Sequence, residues 1–408
     1  MISLRSDAFR SYSQLALIVV AAGAIYPLLY LRQNFEISIL ESFDITQTQL
    51  RYCSSMLGLI FMVSYIPSGW LADRFSSRKL LSYSLLATAL LGIWFSTMPS
   101  YSSLLIIYGA WGIATGLTFW SAHIKLVAII ANKNQQGKFF GILDGGRGLV
   151  EAILATVAIT LFAYVLSQGS GSTSMALRQV IYLYIGVLLV VSPLIYWLLD
   201  DFEDDNIKVT NTNFIADLKT ILKHRKIWLC AICIICGYQL FYATYSFSAY
   251  LQQNFGLTAV AVGTITVAKL WMRPIGGITA GFIGDWSSPE KVLSILLILA
   301  SLSLGVMAFL PANSSVVVML LVVLLIGLLT YGVRGIYWAT LAGCNIPNKT
   351  KGLAIGVISM IGYFPEFYLP LISAPLLENY PGVLGYQIYY LTISACGLIG
   401  AYAAYLLR

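Results

Sequence analysis

Charged side chains are scarce in this sequence of 408 residues, since Asp, Glu, Lys and Arg together make up only 10% of it. Hydrophobic residues make up 59%, and the mean hydropathy is +0.82. A soluble protein of this length could not bury so much apolar surface, because too few polar residues would remain to cover it. The composition therefore excludes a soluble globular protein and predicts an all-α protein that crosses a membrane many times.

Patterns on which catalytic and metal sites depend are missing as well. The sequence has two histidines, so a metal-binding histidine pair at helical spacing cannot form. It has no glycine-rich loop before a Lys-Ser or Lys-Thr pair and no nucleophile elbow. Cys230, Cys233 and Cys236 are regularly spaced, but a helix distributes them around its surface and no histidine accompanies them. We therefore expect a protein that is not an enzyme, binds no metal and needs no cofactor.

Long apolar runs dominate what is present. Runs of about 20 apolar residues predict twelve membrane-spanning helices. These spans cover residues 12–34, 46–70, 80–98, 103–131, 138–166, 178–199, 227–251, 258–282, 291–310, 315–342, 350–376 and 385–407. The charged segment 200–226 between them predicts a cytoplasmic linker. Six-helix bundles are accordingly expected over residues 1–199 and 227–408.

The net charge of +7 does not indicate a nucleic-acid partner, because the basic residues lie in short loops between apolar runs. In a twelve-span topology, most of the 24 Lys and Arg residues fall on one side. Cytoplasmic loops of membrane proteins carry such an excess of Lys and Arg. We therefore predict a protein of the cell (inner or plasma) membrane with both termini in the cytoplasm.

Two short charged loops repeat across the halves of the chain. The first runs from Gly69 to Lys79 and the second from Gly281 to Lys291, and the same offset of 212 residues separates Ser82 from Ser294. Internal repeats of this kind are typical of transporters built from two related halves. The chain is thus predicted to contain two pseudo-symmetric copies of one membrane unit.

The first loop resembles the G-x-L-A-D-R-x-G-R-[KR] loop of the major facilitator superfamily. Gly69 to Arg74 and the basic residues Arg78 and Lys79 fit that pattern, whereas Ser76 stands where the family usually has Gly. The resemblance implies the twelve-helix fold and alternating access of secondary transporters, in which the loop Asp meets the start of helix 11. It also implies that charge contacts there latch the cytoplasmic side. The gating residues expected on this basis are Asp73, Arg74, Arg78 and Asp285.

Basic side chains within the predicted spans outnumber acidic ones. The deep bases are Lys125, Arg147, Lys269, Arg273 and Arg334, and the acids at comparable depth are Asp144, Glu151 and Glu366. Each charge near the bilayer centre costs roughly 2.5–3.5 kcal/mol on insertion scales, so such residues usually pair internally or line a cavity. A set of permanent ion pairs is one interpretation. The surplus of positive charge favours the other, in which an anionic substrate binds.

The anion is expected to meet Arg273, Lys269, Arg334 and Arg147. Lys269 and Arg273 lie four residues apart and share one helix face. The family resemblance places spans 1, 4, 7 and 10 around the central cavity, which makes Arg334 a ligand candidate. Its planar guanidinium suits carboxylate, phosphate or sulfonate groups.

A proton is expected to be coupled through Glu151, Glu366 or Asp144, and Glu366 could alternatively pair with Arg273. Aligning Gly141 with Gly356 places Glu151 opposite Glu366 in the two halves. We expect Lys125 to extend to the cytoplasmic rim, and His123 to be hydrogen-bonded inside the bundle.

Polar aromatic residues are dense on the presumed cavity spans, where they could hold a ring-bearing or hydroxylated substrate or simply pack. The candidates for substrate contact are Tyr26, Tyr30, Trp120, Gln239, Tyr242, Tyr337 and Trp338. The sequence thus predicts a monomeric, proton-coupled secondary transporter, a symporter, of a small organic anion. The alternatives are a transporter of a neutral sugar or amino acid, and a membrane sensor without transport.

Overall fold

The computed structural model describes residues 2–131, 133–168, 172–201, 214–257, 259–311 and 314–408, so the middle of the predicted linker, 202–213, lies outside the described residues. Within these ranges the only regular secondary structure is helical. The α-helices are α1 (Ile2–Leu29), α2 (Arg32–Phe43), α3 (Gln47–Arg74), α4 (Ser77–Ser96), α5 (Tyr101–Gly112), α6 (Ser121–Ile130), α7 (Gln136–Ser167), α8 (Thr173–Leu198), α9 (Phe214–Leu222), α10 (Arg225–Ala243), α11 (Phe247–Phe255), α12 (Ala259–Trp286), α13 (Pro289–Ala308), α14 (Val316–Ile336), α15 (Asn348–Gly362), α16 (Pro365–Asn379) and α17 (Val383–Leu407).

The helices match the predicted spans closely. Among the described residues, 11 helical stretches are long and apolar enough to cross a membrane, from Phe9–Leu29 to Val383–Leu407. Each coincides with one predicted span to within several residues at either end. The remaining predicted span, residues 258–282, corresponds to α12, and residue 258 itself is not described. The prediction of a polytopic all-α membrane protein is confirmed.

The chain divides into two compact units. Unit 1 comprises Met1–Ile130, Leu149–Asp217 and Pro347–Val357, and unit 2 comprises Ala131–Gly148, Leu218–Ile346 and Ile358–Arg408. Helices α7 and α15 therefore each contribute their first part to one unit and their second part to the other. The predicted division into bundles at 1–199 and 227–408 stays a prediction.

Helix α2 was not predicted from the sequence. Phe35, Ile39 and Phe43 are buried at four-residue spacing. The ring of Phe35 lies 5.1 Å from that of Phe162 in α7, and the ring of Phe43 lies 4.6 Å from that of Phe95 in α4. The polar residues within α2 interrupt the apolar run, so hydropathy alone gives no sign of a helix here. The side chain of Thr46 then begins α3 with a capping box that includes Gln49.

Several of the predicted spans are not continuous α-helices. The eleventh ends as α15 at Gly362 and begins again as α16 at Pro365, because a proline has no backbone N–H with which to continue the preceding helix. The fourth contains a π-helical segment, Ile113–Trp120, and the tenth ends in a 3₁₀ segment, Tyr337–Cys344. The latter two interruptions carry no local signal such as proline, and the sequence did not predict them.

Glycines allow two helix pairs to approach closely. In unit 1, a Cβ atom on Gly69 of α3 would collide with the backbone of Gly352 in α15. In unit 2, a Cβ atom on Gly281 of α12 would collide with the backbone of Gly137 in α7. The two repeated loops thus begin where a pair of helices is in backbone contact.

Candidate functional site

Three charged side chains meet in unit 2, on three different helices. Arg273 of α12 donates from Nη2 to Asp144 Oδ1 at 2.9 Å and from Nε to Oδ2 at 3.3 Å. Arg334 of α14 places its Nε 3.7 Å from Asp144 Oδ1. All three residues are buried, with 4% (Arg273), 8% (Arg334) and 9% (Asp144) of their surface exposed. One carboxylate therefore faces two guanidinium groups, and this cluster carries a net positive charge.

The backbone of α7 makes this meeting possible. Asp144 and Gly148 lie four residues apart and hence on one face of α7. A Cβ atom on Gly148 would lie 2.6 Å from both Cγ and Cδ of Arg273. Glycine at this position leaves room for the stem of Arg273 to run against α7, so its guanidinium reaches the carboxylate one turn away.

Aromatic rings surround the second guanidinium. The Cζ atom of Arg334 lies 4.1 Å from the ring centre of Phe241 and 5.7 Å from that of Tyr238, both on α10. Its buried Nε has no hydrogen-bond partner among the described residues. Leaving a buried donor without a partner costs about 1–3 kcal/mol, and buried polar groups of native proteins rarely lack one. Arg334 thus presents a buried N–H donor, held in place by aromatic contacts, to which an anion could bind.

A hydrogen-bonded set of tyrosines lies nearby in unit 2. The hydroxyl groups of Tyr337 and Tyr363 are 2.9 Å apart, and Trp338 Nε1 donates to Tyr363 at 3.1 Å. Tyr238 donates to Glu366 Oε2 at 3.2 Å. Neither Tyr363 nor Phe241, whose ring lies under Arg334, was among the residues predicted from the sequence. Tyr363 lies two residues before Pro365, in the break between α15 and α16. That proline is the sequence feature that could have drawn attention to this position.

Lys269 is directed away from the shared carboxylate. Its Nζ donates to Thr244 Oγ1 at 2.9 Å and to the Thr244 carbonyl oxygen at 3.3 Å. Thr244 begins the 3₁₀ segment Thr244–Ser246 that joins α10 to α11, so both acceptors of the ammonium group come from one residue at this interruption. Repulsion between two cations four residues apart on one helix, as Lys269 and Arg273 are, is destabilising. It is relieved because each cation has its own acceptor.

The other predicted residues of unit 2 are placed around this cluster. Gln239 is buried in α10, and the ring of Tyr242 lies 6.3 Å from that of Tyr238 and 5.2 Å from that of Tyr245. Arg147 is half-buried in α7, three residues after Asp144.

Unit 1 holds a separate aromatic cluster. The ring of Tyr26 lies 6.4 Å from that of Trp120, and the ring of Tyr65 lies 5.9 Å from Trp120. The π-helical segment ends at Trp120, and His123 one turn later is buried with its Nδ1 3.2 Å from the Phe119 carbonyl oxygen. The expectation of a hydrogen-bonded histidine is thus confirmed. Tyr65 was not among the residues predicted from the sequence to contact substrate.

Two further predicted residues belong to unit 1. The ring of Tyr30 lies 6.2 Å from that of Tyr26, at the end of the first span. Glu151 is half-buried in α7, past the point where that helix enters unit 1. The structure thus divides the predicted substrate and proton residues between the two units.

The carboxylate of Asp73 binds the beginning of α15. It accepts hydrogen bonds from the backbone amides of Gly352 at 2.9 Å and Leu353 at 2.8 Å. Lys125 of α6 lies 2.9 Å from the same carboxylate and also donates to the Ala72 carbonyl oxygen at 2.7 Å. Lys125 thus reaches the first repeated loop, where it is paired with Asp73 and is only 9% exposed. Its expected position at the cytoplasmic rim stays a prediction.

The equivalent carboxylate in unit 2, that of Asp285, binds the first turn of α7. It accepts hydrogen bonds from the amides of Gly137 and Lys138, both at 2.8 Å. Amides of the first helical turn have no partner within the helix, and the helix dipole favours a negative charge beside them. Each repeated loop therefore holds one helix end by its Asp.

The basic residues of the first loop have other contacts. The guanidinium of Arg74 lies 4.5 Å above the ring of Trp70. Arg78 is 3.2 Å from Asp201, which also accepts a hydrogen bond from Ser76 at 2.6 Å. The loop is thereby held to the start of the segment that follows the sixth span.

The family follows from the match of residues 13–370 to the model of the Major Facilitator Superfamily. The chain belongs to the Major Facilitator Superfamily. Two inner membrane proteins of Escherichia coli (strain K12) are similar over nearly their whole length. YqcE is 27% identical over 97% of this chain and 94% of its own length. YihN is 26% identical over 98% of this chain and 95% of its own length. The protein is accordingly an inner membrane transporter of this superfamily.

More distant relatives extend the comparison. The nitrite extrusion protein of Bacillus subtilis (strain 168) is 25% identical over 77% of this chain and 74% of its own. Crystal structures of the transporter FucP and of the human organic anion transporter MFSD10 share the fold. FucP has a TM-score of 0.76 at 16% identity, over 96% of this chain and 98% of its own. MFSD10 has a TM-score of 0.72 at 14% identity, over 98% of this chain and 99% of its own. These structural similarities show the fold alone.

Proposed function

We propose that this transporter carries a small organic anion, coupled to protons, by alternating access. The observation that supports this most directly is the cluster in which Asp144 faces both Arg273 and Arg334. Uncompensated charge is costly inside a membrane protein, so a cavity-lining cation usually has a partner. A carboxylate, phosphate or sulfonate group on the substrate would supply the missing negative charge.

The predicted residues keep their roles within this proposal. Arg273, Lys269, Arg334 and Arg147 form the site for the anionic group. The residues for the body of the substrate are Tyr26, Tyr30, Trp120, Gln239, Tyr242, Tyr337 and Trp338. Glu366, hydrogen-bonded to Tyr238, carries the proton together with Glu151 or Asp144. Asp73, Arg74, Arg78 and Asp285 control access from the cytoplasm, where both termini lie, and the transporter acts as a monomeric symporter.

Relatives named for anions support the same substrate class. One is the nitrite extrusion protein of Bacillus subtilis and another is the human organic anion transporter MFSD10. FucP, described as a fucose:proton symporter, supports the alternative of a neutral sugar coupled to protons. The experiment must therefore compare anionic with neutral substrates.

Uptake into proteoliposomes makes this comparison. Purified protein is reconstituted and given radiolabelled carboxylates, sugar phosphates and sulfonates beside neutral sugars and amino acids, with and without a pH gradient. We expect saturable uptake of an anion that a gradient, acidic on the substrate side, accelerates. Uptake of neutral compounds alone would contradict the proposal, and binding without uptake would indicate a sensor.

Substitution of the clustered arginines sharpens the result. We expect Arg273→Ala and Arg334→Ala each to lower anion uptake at least about tenfold, since a hydrogen bond to a charged group contributes about 1.5–3 kcal/mol. The matched control is Arg178→Ala. Arg178 is a half-buried arginine of α8 whose Nε donates to the Ser96 carbonyl oxygen at 3.0 Å. Normal uptake by both cluster variants would exclude the anion site.

A further inference from the structure

Arg273 and Arg334 face the same carboxylate but are bound to it unequally. Arg273 makes two hydrogen bonds to Asp144, at 2.9 and 3.3 Å, one to each oxygen. Arg334 Nε lies 3.7 Å from Asp144 Oδ1, which is beyond hydrogen-bond distance. Paired hydrogen bonds from one guanidinium to one carboxylate are the strongest arrangement available to these groups. Asp144 is therefore held mainly by Arg273.

Arg334 is fixed by other means and keeps a donor available. Its guanidinium lies against Phe241 and near Tyr238, so aromatic contacts hold its position in addition to the 3.7 Å ion pair with Asp144. The residue is 8% exposed, and its Nε has no acceptor in the described part of the chain. A rigid group that is already in place loses little conformational freedom when a ligand binds. These are the properties of a binding residue.

We infer that Arg334 binds the anionic group of the substrate directly, whereas Arg273 is a positioning residue that keeps Asp144 away from Arg334. The inference rests on the proposed anion transport and assigns different roles to its two arginines. Asp144 is then an internal competitor of the substrate. Held by Arg273, it leaves Arg334 open. Released from Arg273, it neutralises Arg334 and excludes the substrate.

This assignment predicts that Asp144→Asn restores anion affinity to the Arg273→Met variant and not to the Arg334→Met variant. In Arg273→Met, the released carboxylate pairs with Arg334, and anion affinity falls. Adding Asp144→Asn to that chain removes the competitor, so affinity returns. In Arg334→Met the binding residue itself is missing, and Asp144→Asn restores nothing.

Isothermal titration calorimetry on purified full-length protein measures these affinities. The probes are gluconate, glycerol 3-phosphate and 2-hydroxyethanesulfonate, one for each anionic group. Relative to wild type, we expect Arg334→Met to weaken binding by roughly 10- to 100-fold, with or without Asp144→Asn. Arg273→Met should weaken it by about tenfold. The double variant Arg273→Met/Asp144→Asn should lie within about threefold of wild type. Asp144→Asn alone should bind more tightly than wild type.

Two controls separate this pattern from damage to the fold. Arg273→Lys keeps the charge but loses the paired geometry, so it should show a smaller loss that Asp144→Asn again reverses. Arg178→Met should bind as wild type does. Thermal unfolding of each ligand-free variant verifies that the compared proteins are folded.

The outcomes distinguish the inference from the function on which it rests. If wild-type protein binds a neutral sugar or amino acid and none of the three anions, the proposed function fails. If wild type binds an anion but Asp144→Asn leaves Arg273→Met as weak as before, only the inference fails. In that case Arg273 is itself a ligand of the substrate.

Discussion

Asp73 in unit 1 and Asp285 in unit 2 occupy equivalent places in the two repeated loops and make the same backbone contacts. Asp73 accepts from the amides of Gly352 and Leu353, and Asp285 accepts from those of Gly137 and Lys138, all at 2.8–2.9 Å. In both units the first of these amides belongs to a glycine. The repeat in the sequence thus reflects a repeated contact between a carboxylate and a helix end.

The charge around the two carboxylates differs. Asp73 has a buried ion-pair partner in Lys125, and their side chains are 9% and 11% exposed. Asp285 is half-buried, its described hydrogen bonds come from backbone amides, and the cation that attracts it, Lys138, is itself only half-buried. Removing the Asp73 carboxylate therefore leaves the buried Lys125 ammonium without its counter-ion. This costs far more free energy than leaving two backbone amides without an acceptor. The two halves share a backbone contact and differ in electrostatics.

The largest effect is expected from Asp73→Asn. Loss of the carboxylate leaves the Lys125 ammonium buried and unpaired, and breaking a buried pair in this way costs about 3–5 kcal/mol. We expect a clear fall in the thermal unfolding midpoint of the detergent-purified protein and loss of uptake.

A double-mutant cycle tests the cause. In Asp73→Asn/Lys125→Met the orphaned charge is gone, so stability should return in part and the two substitutions should not be additive. Additive effects would show that Lys125 and Asp73 do not depend on each other.

Glycine substitutions should produce an intermediate effect that is similar in both units. A Cβ atom on Gly352 would lie 2.7 Å from Asp73 Oδ1, and one on Gly137 would lie 2.8 Å from Asp285 Oδ1. Overpacking of this kind costs about 1–3 kcal/mol. We expect Gly352→Ala and Gly137→Ala to lower the unfolding midpoint by similar amounts. Gly186 is the control, since a Cβ atom there would meet nothing within 4 Å.

Hydropathy was sufficient to predict the membrane helices, because a span needs a long apolar run whatever its neighbours are. It missed α2, where Phe35, Ile39 and Phe43 form a stripe within a polar segment. It also missed the π-helical and 3₁₀ segments. Such segments depend on how the helix packs in three dimensions, which a local pattern does not contain.

The candidate site was predictable in its residue types but not in its pairing. Counting deep charges selected Asp144, Arg273 and Arg334, and all three meet in unit 2. Asp144 and Arg273 are separated by 129 residues, so no local spacing in the sequence could show that they form an ion pair. The same limit concealed the partner of Lys125, which lies on another helix.

Asp285→Asn should give the smallest effect of the series. The amide oxygen of Asn can still accept one of the two backbone hydrogen bonds. The Lys138 side chain that attracts Asp285 is half-buried, so water can solvate it when the carboxylate is lost. We expect a loss of about 1 kcal/mol, the typical net contribution of one hydrogen bond. Uptake should fall less than in Asp73→Asn when both variants are measured at equal amounts of folded protein. If Asp285→Asn matched Asp73→Asn in unfolding midpoint and uptake, the shared helix-end contact would account for both effects. The ion pair with Lys125 would then contribute nothing that distinguishes unit 1 from unit 2.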